Sequence, residues 1–343
     1  MAFSHYRTIT VDHTLCGASN STDFPVLVSG TYTYLKTTGN GGEVTNANGY
    51  DIGFYSDSGL TTKLDWEVEK YVSTTGEIVA WVRIPTLSHT SDTVIYIADG
   101  DSGITTFQGN VNGVWETAAK GVWHMNNGTG NNVLDSTSNT NTGTPVASPA
   151  DATGQIGQAL SFNGSSQEVW MPDSGLPTGD RTMSVWFNTS ANEVWWQNSG
   201  IIQYGTNSSL ADIGNVLVAG NWLNSVTIND GKWHLATLTV AYNGSWPSTW
   251  RIYLDGVQVA QSSVCYQDTT LNGTLSIGGG AYGLFNGSID DVRIYNRALS
   301  ADEITANYNS TNSPSTFYGV GSDQGGGGVA TGFMTTMNGI WGI

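Results

Sequence analysis

The stretch FNGSIDDVRIYNRAL, from Phe285 to Leu299, decides the fold class. It begins with Asn286-Gly287, a pair that supplies the positive φ angles of a tight hairpin turn. The β-branched and aromatic residues that follow are typical of a strand. Asp290 and Asp291 are neighbours, so a regular strand would send them to opposite faces. We therefore expect at most one of these two acids in any single site.

A short helix is predicted directly after this strand. Ser300 is placed to cap it, and Glu303 occupies the capping-box position three residues later. Leu299, Ile304 and Tyr308 would form its apolar side. The chain thus predicts a strand and a capped helix that close a β-rich module.

Composition extends the all-β prediction to the whole chain. The 343 residues include 44 Gly and 13 Trp but 8 Pro, and Asn-Gly pairs recur throughout, which favours short strands joined by tight turns. This length allows two domains of ordinary size. A formal net charge of −17 argues against nucleic acid as a partner, because the chain would repel a phosphate backbone.

Several segments together resemble concanavalin A-like jelly-roll modules of the laminin-G-like type. The terminal strand described above is one of them, and the others are GVWHMN at 121–126, LDSTSNTNTG at 134–143, GQALSFNGSSQEVWM at 157–171, MSVWFN at 183–188, GKWHLATLTV at 231–240 and RIYLDGVQVA at 251–260. The resemblance implies a jelly roll over residues 121–310. It also implies a glycan- or protein-binding surface.

Residues 5–100 contain six strand-like runs separated by turns. This segment resembles an uncharacterised β-rich domain family that commonly precedes a laminin-G-like module in bacterial and phage proteins. We therefore predict two tandem β-sandwiches (jelly rolls), the second of them concanavalin A-like, with a Gly-rich linker and an apolar tail. The predicted boundaries are 1–105 for the first sandwich, 106–120 for a connector, 121–310 for the second sandwich, 311–328 for a Ser/Gly linker and 329–343 for a C-terminal docking segment.

The closing fifteen residues are apolar for a solvated chain end. One interpretation is a strand or plug that packs back on its own domain. The other is a peptide that docks on another subunit, since large apolar side chains on a flexible tether suit a groove. The docking residues would be Phe333, Met334, Met337, Ile340 and Trp341.

Alternating acids in LDWEVEKY raise the question of catalysis. Asp65, Glu67 and Glu69 would share one face of a strand. This pattern is similar to the carboxylate strand of laminarinase-type glucanases, although that family begins with Glu and carries the motif in its concanavalin A-like fold. Glycoside hydrolysis needs two carboxylates across the scissile bond. The alternative is a half-exposed strand whose acids are solvated, which we prefer.

Calcium is the metal that the resemblance implies. In the laminin-G-like family, the acid of the LDSTSN segment and an acid of the IDDVRIYN strand often share one calcium ion, which corresponds to Asp135 and Asp290 here. Asn139 and Asn141 are neighbours by proximity alone, and calcium takes such oxygen ligands. The alternative is that Asp135 is an Asx-turn residue and Asp290 a β-bulge acid, each bonded to nearby backbone.

Sugar binding requires exposed aromatic platforms. Trp195, Trp196, Trp222 and Trp246 lie in loop-like contexts, where a jelly roll can present them to a ligand. The alternative for each is a lid over the core of its own domain.

The remaining predictions concern compartment and role. Cys16 and Cys265 lie in different modules, so we expect free thiols, and the sequence shows neither a secretory signal nor a membrane span. Together with the resemblance, this predicts a non-catalytic phage virion protein, made in the host cytoplasm, that decorates a capsid, tail or fibre and attaches through its C-terminal peptide to virion subunits or to itself. The alternatives are a secreted or cell-surface carbohydrate-binding module and a laminarinase-like glycoside hydrolase.

Overall fold

The computed structural model describes residues 3–191, 198–204, 210–213, 216–219, 223–242, 244, 247–265, 271, 275–280 and 283–325. Within these ranges the protein is built from antiparallel sheets with a few short helices. The sheets form two β-sandwiches, so the predicted all-β fold class is confirmed.

The first sandwich consists of a four-stranded sheet packed on a three-stranded sheet. Its first six strands are β1 (His5–Val11), β2 (Ser21–Thr31), β3 (Gly53–Tyr55), β4 (Trp66–Val72), β5 (Glu77–Leu87) and β6 (Thr93–Asp99). The three-stranded sheet has the order β2-β5-β4. Alternate apolar residues of the two sheets, such as Ile9 and Val82, meet in one buried core.

The second sandwich packs an eight-stranded sheet on a seven-stranded sheet. After helix α1 (Val111–Val114), its strands are β7 (Ala119–Trp123), β8 (Thr144–Val146), β9 (Ala150–Thr153), β10 (Gln158–Asn163), β11 (Glu168–Met171), β12 (Arg181–Asn188), β13 (Asn198–Tyr204), β14 (Leu210–Ile213), β15 (Val216–Ala219), β16 (Leu223–Thr227), β17 (Trp233–Ala241), β18 (Ser248–Leu254), β19 (Val257–Cys265), β20 (Leu275–Ile277) and β21 (Asn286–Tyr295). The eight-stranded sheet runs β19-β18-β17-β12-β21-β10-β9, with β7 also paired to β21, and the seven-stranded sheet runs β16-β15-β14-β13-β20-β11-β8.

The two sandwiches pack directly on each other. The outer face of the β2-β5-β4 sheet contributes Leu27, Val79 and Trp81 to a buried cluster. The outer face of the eight-stranded sheet contributes Trp186 and Tyr295 to the same cluster. Strand β12 is therefore buried along nearly its whole length, since one face meets the jelly-roll core and the other meets this junction. The four sheets form a continuous stack of layers.

Helix α2 (Ala301–Asn312) carries the predicted capping box. The Ser300 hydroxyl accepts from the Glu303 N–H, and the Glu303 carboxylate accepts from the Ser300 N–H. The helix contacts both sandwiches, because Tyr308 stacks on Trp186 and the Asn309 amide donates to the Leu15 carbonyl. Helix α2 thus joins the two sandwiches at one side of the junction.

The segment after α2 corrects the predicted linker at 311–328. It contains α3 (Pro314–Phe317) and β22 (Tyr318–Val320), and β22 pairs with β1 in the order β22-β1-β6-β3. Phe317 and Tyr318 lie in the core of the first sandwich. Ser and Gly dominate the composition of this segment, yet its few apolar residues are enough to return it to the first sandwich.

Among the described ranges, no helix is both long and apolar enough to cross a membrane.

Candidate functional site

An exposed tryptophan stands on the outer face of the seven-stranded sheet. Trp170 on β11 is 58% exposed, although its neighbours Val169 and Met171 are buried in the jelly-roll core. Strand alternation explains this difference, because residues next to each other on a strand point to opposite faces. The sheet therefore presents an indole ring to solvent, where it is free to contact a ligand.

Polar residues flank this indole in register across the sheet. Trp170 lies opposite Thr144 on β8 and opposite Ser276 on β20, and Ser276 in turn lies opposite Gln203 on β13. Residues directly opposite each other share a face, so the four form one row. Thr144 is exposed, whereas Ser276 and Gln203 are each 5% exposed. The row is thus open at the Thr144 side and covered at the Gln203 side.

The glycines after β20 provide that cover. A Cβ on Gly280 would lie 2.3 Å from the Gln203 side chain, and a Cβ on Gly279 would lie 2.7 Å from the Glu168 carboxylate. Glycine is needed at both positions for this close approach. Glu168, two residues before Trp170, shares its face of β11 and makes no hydrogen bond or ion pair within the described residues. The indole is therefore bordered by a carboxylate that can accept hydrogen bonds from a ligand.

Sequence reasoning missed this position. The segment QEVWM alternates polar and apolar residues, so an outward Trp170 could have been inferred from its inward neighbours. The tryptophans that we did single out, Trp195, Trp196, Trp222 and Trp246, all lie outside the described residues. The docking residues Phe333, Met334, Met337, Ile340 and Trp341 also lie outside them.

The predicted calcium ligands Asp135, Asn139 and Asn141 lie together in one loop. One Asp135 carboxylate oxygen accepts from the Val122 and Thr137 N–H groups, and the other accepts from the Thr137 hydroxyl and the Asn141 N–H. Both oxygens are thus already used to organise the loop, as expected for an Asx turn. The donor set around Asp135 does not fit an ion without loss of these bonds.

Asp290 is fully buried in β21 and shares no hydrogen-bond partner with Asp135. One of its oxygens accepts from the Ile156 N–H at 2.8 Å, and the other has no hydrogen-bond partner among the described residues. Neither acid belongs to a described group of three His, Cys, Asp or Glu donors within 4.8 Å of one another. The calcium site therefore stays a prediction.

The three alternating acids do not line an open cleft. Asp65, just before β4, accepts from Arg83 at 2.8 Å and from Asn110 at 2.9 Å. The side chains of Glu67 and Glu69 are 6% and 1% exposed, because the second sandwich covers this face of β4. The expected solvated face is wrong for these two residues. Their burial also does not fit a laminarinase-like site, where both carboxylates must reach a sugar.

Glu67 is held in the junction by two donors. One of its oxygens lies 3.0 Å from Trp115 Nε1 and 2.8 Å from His124 Nε2. The other imidazole nitrogen of His124 lies 3.4 Å from Asp291 and 3.8 Å from Glu69. The His124 ring also stacks on Trp81 with 5.7 Å between ring centroids. The histidine therefore links acids from both sandwiches.

Arg293 supplies the second positive charge of this junction. Its guanidinium lies 2.6 Å from Asp291 and donates to the Asn307 amide oxygen at 3.1 Å. It also lies over the Trp81 and Trp115 rings, at 4.4 and 4.9 Å from their centroids. Cation–π contacts of this kind gain strength in a dry site.

A β-bulge brings Asp290 and Asp291 to the same site. The register of β12 and β21 shifts between Ser184 and Trp186, and Asp291 has a φ of 43°. This extra residue breaks the strand alternation. Asp291 lies 3.4 Å from His124, and Asp290 accepts from the N–H of Ile156, which belongs to the same buried junction, so the expectation that at most one acid enters a site is wrong.

Burial and neighbouring charges shift the pKa values in this junction. Burial raises the pKa of Glu69 to about 7, and burial with Glu69 and Asp291 nearby raises that of Asp290 well above its usual range. Burial lowers the pKa of His124, but Glu67 and Glu69 outweigh it and hold that pKa well above its ordinary value. The positive charges of His124 and Arg293 thus offset the buried carboxylates around them. Glu69 and Asp290, whose pKa values are raised, are at least partly protonated near neutral pH.

The four sheets define a protein of two β-sandwiches, the second of which carries the exposed indole of Trp170. Residues 163–305 match the model of the concanavalin A-like lectin/glucanases superfamily. The second sandwich is therefore a concanavalin A-like module, and the resemblance predicted from the sequence is confirmed. No curated protein matches the chain.

Solved structures give further likenesses. Domain 4 of AbnA, a GH43 extracellular arabinanase from Geobacillus stearothermophilus in complex with arabinotriose, matches at 21% identity and a TM-score of 0.45, over 56% of this chain and 98% of that domain. The binding domain of botulinum neurotoxin serotype D/C matches at 15% identity and a TM-score of 0.44, over 57% of this chain and 52% of that chain. The binding domain of Paraclostridial Mosquitocidal Protein 1 matches at 14% identity and a TM-score of 0.45, over 56% of this chain and 52% of that chain. The chain thus spans about half the length of these toxin domains.

Proposed function

We propose that the protein binds glycans through the outer face of its concanavalin A-like module, without catalysis. The observation that carries this proposal is Trp170, which is 58% exposed on the outer face of β11, beside the edge strand β8. A flat indole can stack on the apolar face of a sugar ring. Glu168 and Thr144 beside it can bond the hydroxyls.

The superfamily match supports the same class of ligand. It covers both Glu168 and Trp170 and names lectins together with glucanases. The lectin half of that name fits this chain better, because the carboxylates weighed for hydrolysis, Glu67 and Glu69, are buried between the sandwiches.

A glycan array tests the proposal directly. The full chain is applied to immobilised plant, bacterial and animal oligosaccharides, and the best ligand is then titrated against Trp170→Ala. We expect a loss of affinity of about tenfold, because an aromatic contact contributes on the order of 0.5–1.5 kcal/mol beyond the apolar area that it buries, and about 1.4 kcal/mol corresponds to tenfold. Val257→Ala is the matched surface control, since Val257 is 64% exposed on the other sheet. Equal binding by Trp170→Ala would refute the proposal.

The virion role is the second candidate. Its support is the sequence alone, which ends in an apolar segment at 329–343 after four glycines. We propose that this segment attaches the protein to a phage particle or to another copy of itself. Light scattering on the full chain and on a version that ends at Gln324 tests this. Oligomers formed by both versions would count against a docking tail, and oligomers formed by neither would count against docking on another copy of the chain.

We also propose that the concanavalin A-like module binds a calcium ion through Asp290. Titration of the full chain with calcium by calorimetry would detect the predicted ion, and Asp290→Asn should abolish that heat. Absence of binding would leave Asp135 with the loop-organising role that its hydrogen bonds already support.

A further inference from the structure

A cleft lies on the first sandwich, whereas Trp170 lies on the second. Its volume is about 500 Å³, which is within the range of small-molecule sites. Its walls are the turn at 47–50, residues 68–71 of β4, and Phe107 and Val111 from the connector. Strand β4 is an edge strand of the β2-β5-β4 sheet, so the cleft follows an open sheet edge. All of these residues precede the concanavalin A-like module.

One wall of the cleft is apolar and held in place. Phe107 and Val111 are 36% and 37% exposed, so two of the exposed large apolar side chains in the described residues face one cleft. The Phe107 ring packs edge-on against Tyr50 and Trp66, with centroids 6.4 and 6.2 Å apart. The Tyr71 hydroxyl donates to the Leu35 carbonyl at 2.7 Å, which fixes that ring too. These contacts orient the aromatic faces before any ligand arrives.

The polar groups of the cleft carry little net charge. Lys70 is paired with Glu77 at 2.7 Å, and the Glu69 side chain is 1% exposed and accepts from Trp81 Nε1 on the junction side of the sheet. Asn48 is exposed, and its side-chain amide makes no hydrogen bond within the described residues. A neutral cleft with aromatic faces and a free amide is notable on a chain of net charge −17.

We propose that this cleft binds a neutral oligosaccharide, independently of the Trp170 face. The ring faces of Phe107 and Tyr50 would pack against sugar C–H groups, and the Asn48 amide would bond hydroxyls. An ionic ligand would find no unpaired charge here. Because the two sandwiches are packed as one stack, a long glycan that reached both sites would bind with avidity.

The test compares two valines whose side chains are nearly equally exposed. Val111 lines the cleft and is 37% exposed, whereas Val94 on β6 is 39% exposed and lies outside it. Val111→Arg and Val94→Arg are each made in the full chain with and without Trp170→Ala. Calorimetry with xylohexaose, cellohexaose and arabinotriose then measures affinity. In the Trp170→Ala background, we expect Val111→Arg to lower the remaining affinity for the sugar by at least tenfold. Val94→Arg in the same background should leave that affinity unchanged.

The outcomes separate this inference from the proposed function. Loss of all binding in Trp170→Ala, or equal affinity of the two arginine variants, would overturn the cleft and leave the Trp170 face standing. Loss in Val111→Arg with no effect of Trp170→Ala would support the cleft and refute the proposed face. If Val111→Arg melts below Val94→Arg, then Asn48→Ala replaces it, with a loss of about fivefold expected. Hydrogen exchange that shows β4 protected by an extended peptide and by none of the sugars would also overturn the inference.

Discussion

Glu67 is the residue on which the buried junction depends most directly. A single oxygen accepts from Trp115 of the connector and from His124 of the concanavalin A-like module. Without it, a buried indole N–H and a buried imidazole would lose their acceptor. Such orphaned groups cost far more than the net gain of the original bond.

Glu67→Ala should therefore lower the free energy of unfolding by about 3–5 kcal/mol, because it leaves a buried charge without its partner. Urea denaturation followed by tryptophan fluorescence measures this. Glu77→Ala is the matched control, since its ion pair with Lys70 is about a third exposed and should contribute at most about 1 kcal/mol. Similar losses in both variants would contradict the buried role of Glu67.

Stability should also fall as the pH rises through neutrality. The pKa of Glu69 is raised to about 7 in the folded chain. Between the ordinary pKa of a glutamate and pH 7, the folded chain therefore binds more protons at Glu69 than the unfolded chain does, and stability falls as the pH rises. The pKa of His124 is also raised in the folded chain. The stability that its protonation contributes is complete below the ordinary pKa of a histidine and is lost as the pH rises through the pKa of the folded state. Both groups act in the same direction.

We thus expect a lower melting temperature at about pH 8.5 than at about pH 5.5. Differential scanning calorimetry of the full chain and of Glu69→Gln and His124→Gln checks the assignment. Each variant should flatten the profile, because it removes one titrating group. An unchanged slope in both variants would attribute the pH dependence to the general negative charge instead.

The burial of these acids could not be predicted from the sequence. Alternation in LDWEVEKY correctly placed Trp66 opposite Glu67. It could not reveal that the second sandwich covers the acidic face, because that depends on residues more than 50 positions away, such as His124. Trp170 was predictable in principle, since its exposure follows from the local alternation of β11.

At the scale of elements, helix α2 connects structures that are distant in sequence. It contacts Leu15 of the first sandwich through Asn309 and Trp186 of the second through Tyr308 and Thr311. Its capping box satisfies N–H groups at its first turn. The stability of this short helix thus affects both sandwiches.

Ser300→Ala should destabilise the protein by about 1 kcal/mol, since the helix loses its N-cap acceptor. Thermal unfolding would measure the shift. Ser313→Ala is a matched control, because Ser313 precedes α3 without a side-chain cap bond. If both substitutions had the same effect, the capping box would not contribute as described.

Local signals explain why α2 was predicted, whereas the bulge beside Asp290 entered only as the alternative to a calcium ligand and the bulge in β4 was not predicted. A capping box and an apolar face are contained within a dozen residues. The bulge at Asp291 depends on how β21 pairs with β12, about 100 residues earlier. The bulge in β4, where the register shifts between Val68 and Lys70, likewise depends on β5. Pairing partners are not visible in a single strand.

At the scale of the whole molecule, the residues after α2 complete the first sandwich. Phe317 is fully buried, and the Tyr318 hydroxyl bonds both the N–H and the carbonyl of Ser29. These contacts bring the far end of the described chain to its first strand. The composition of 311–328 could not show this, because three apolar residues suffice for the return.

A version of the chain that ends at Asn312 should therefore unfold at a lower temperature than one that ends at Gln324. Phe317→Ala in the full chain should reproduce much of the loss, about 3–5 kcal/mol for a buried aromatic side chain. Circular dichroism melts of the three proteins measure it. Identical melts for the versions ending at Asn312 and Gln324 would show that β22 is dispensable.

The pairing of β1 with β22 also dictates an order of events during synthesis. Strand β1 leaves the ribosome before its partner β22, which is made some 300 residues later. All strands of the concanavalin A-like module are translated between these two points. That module can therefore close first, while the sandwich at the start of the chain waits for its last strand. The sandwich that is begun earlier is finished later, so a ribosome that stalls before Phe317 would release a chain with one completed sandwich and with β1 exposed as an additional sheet edge.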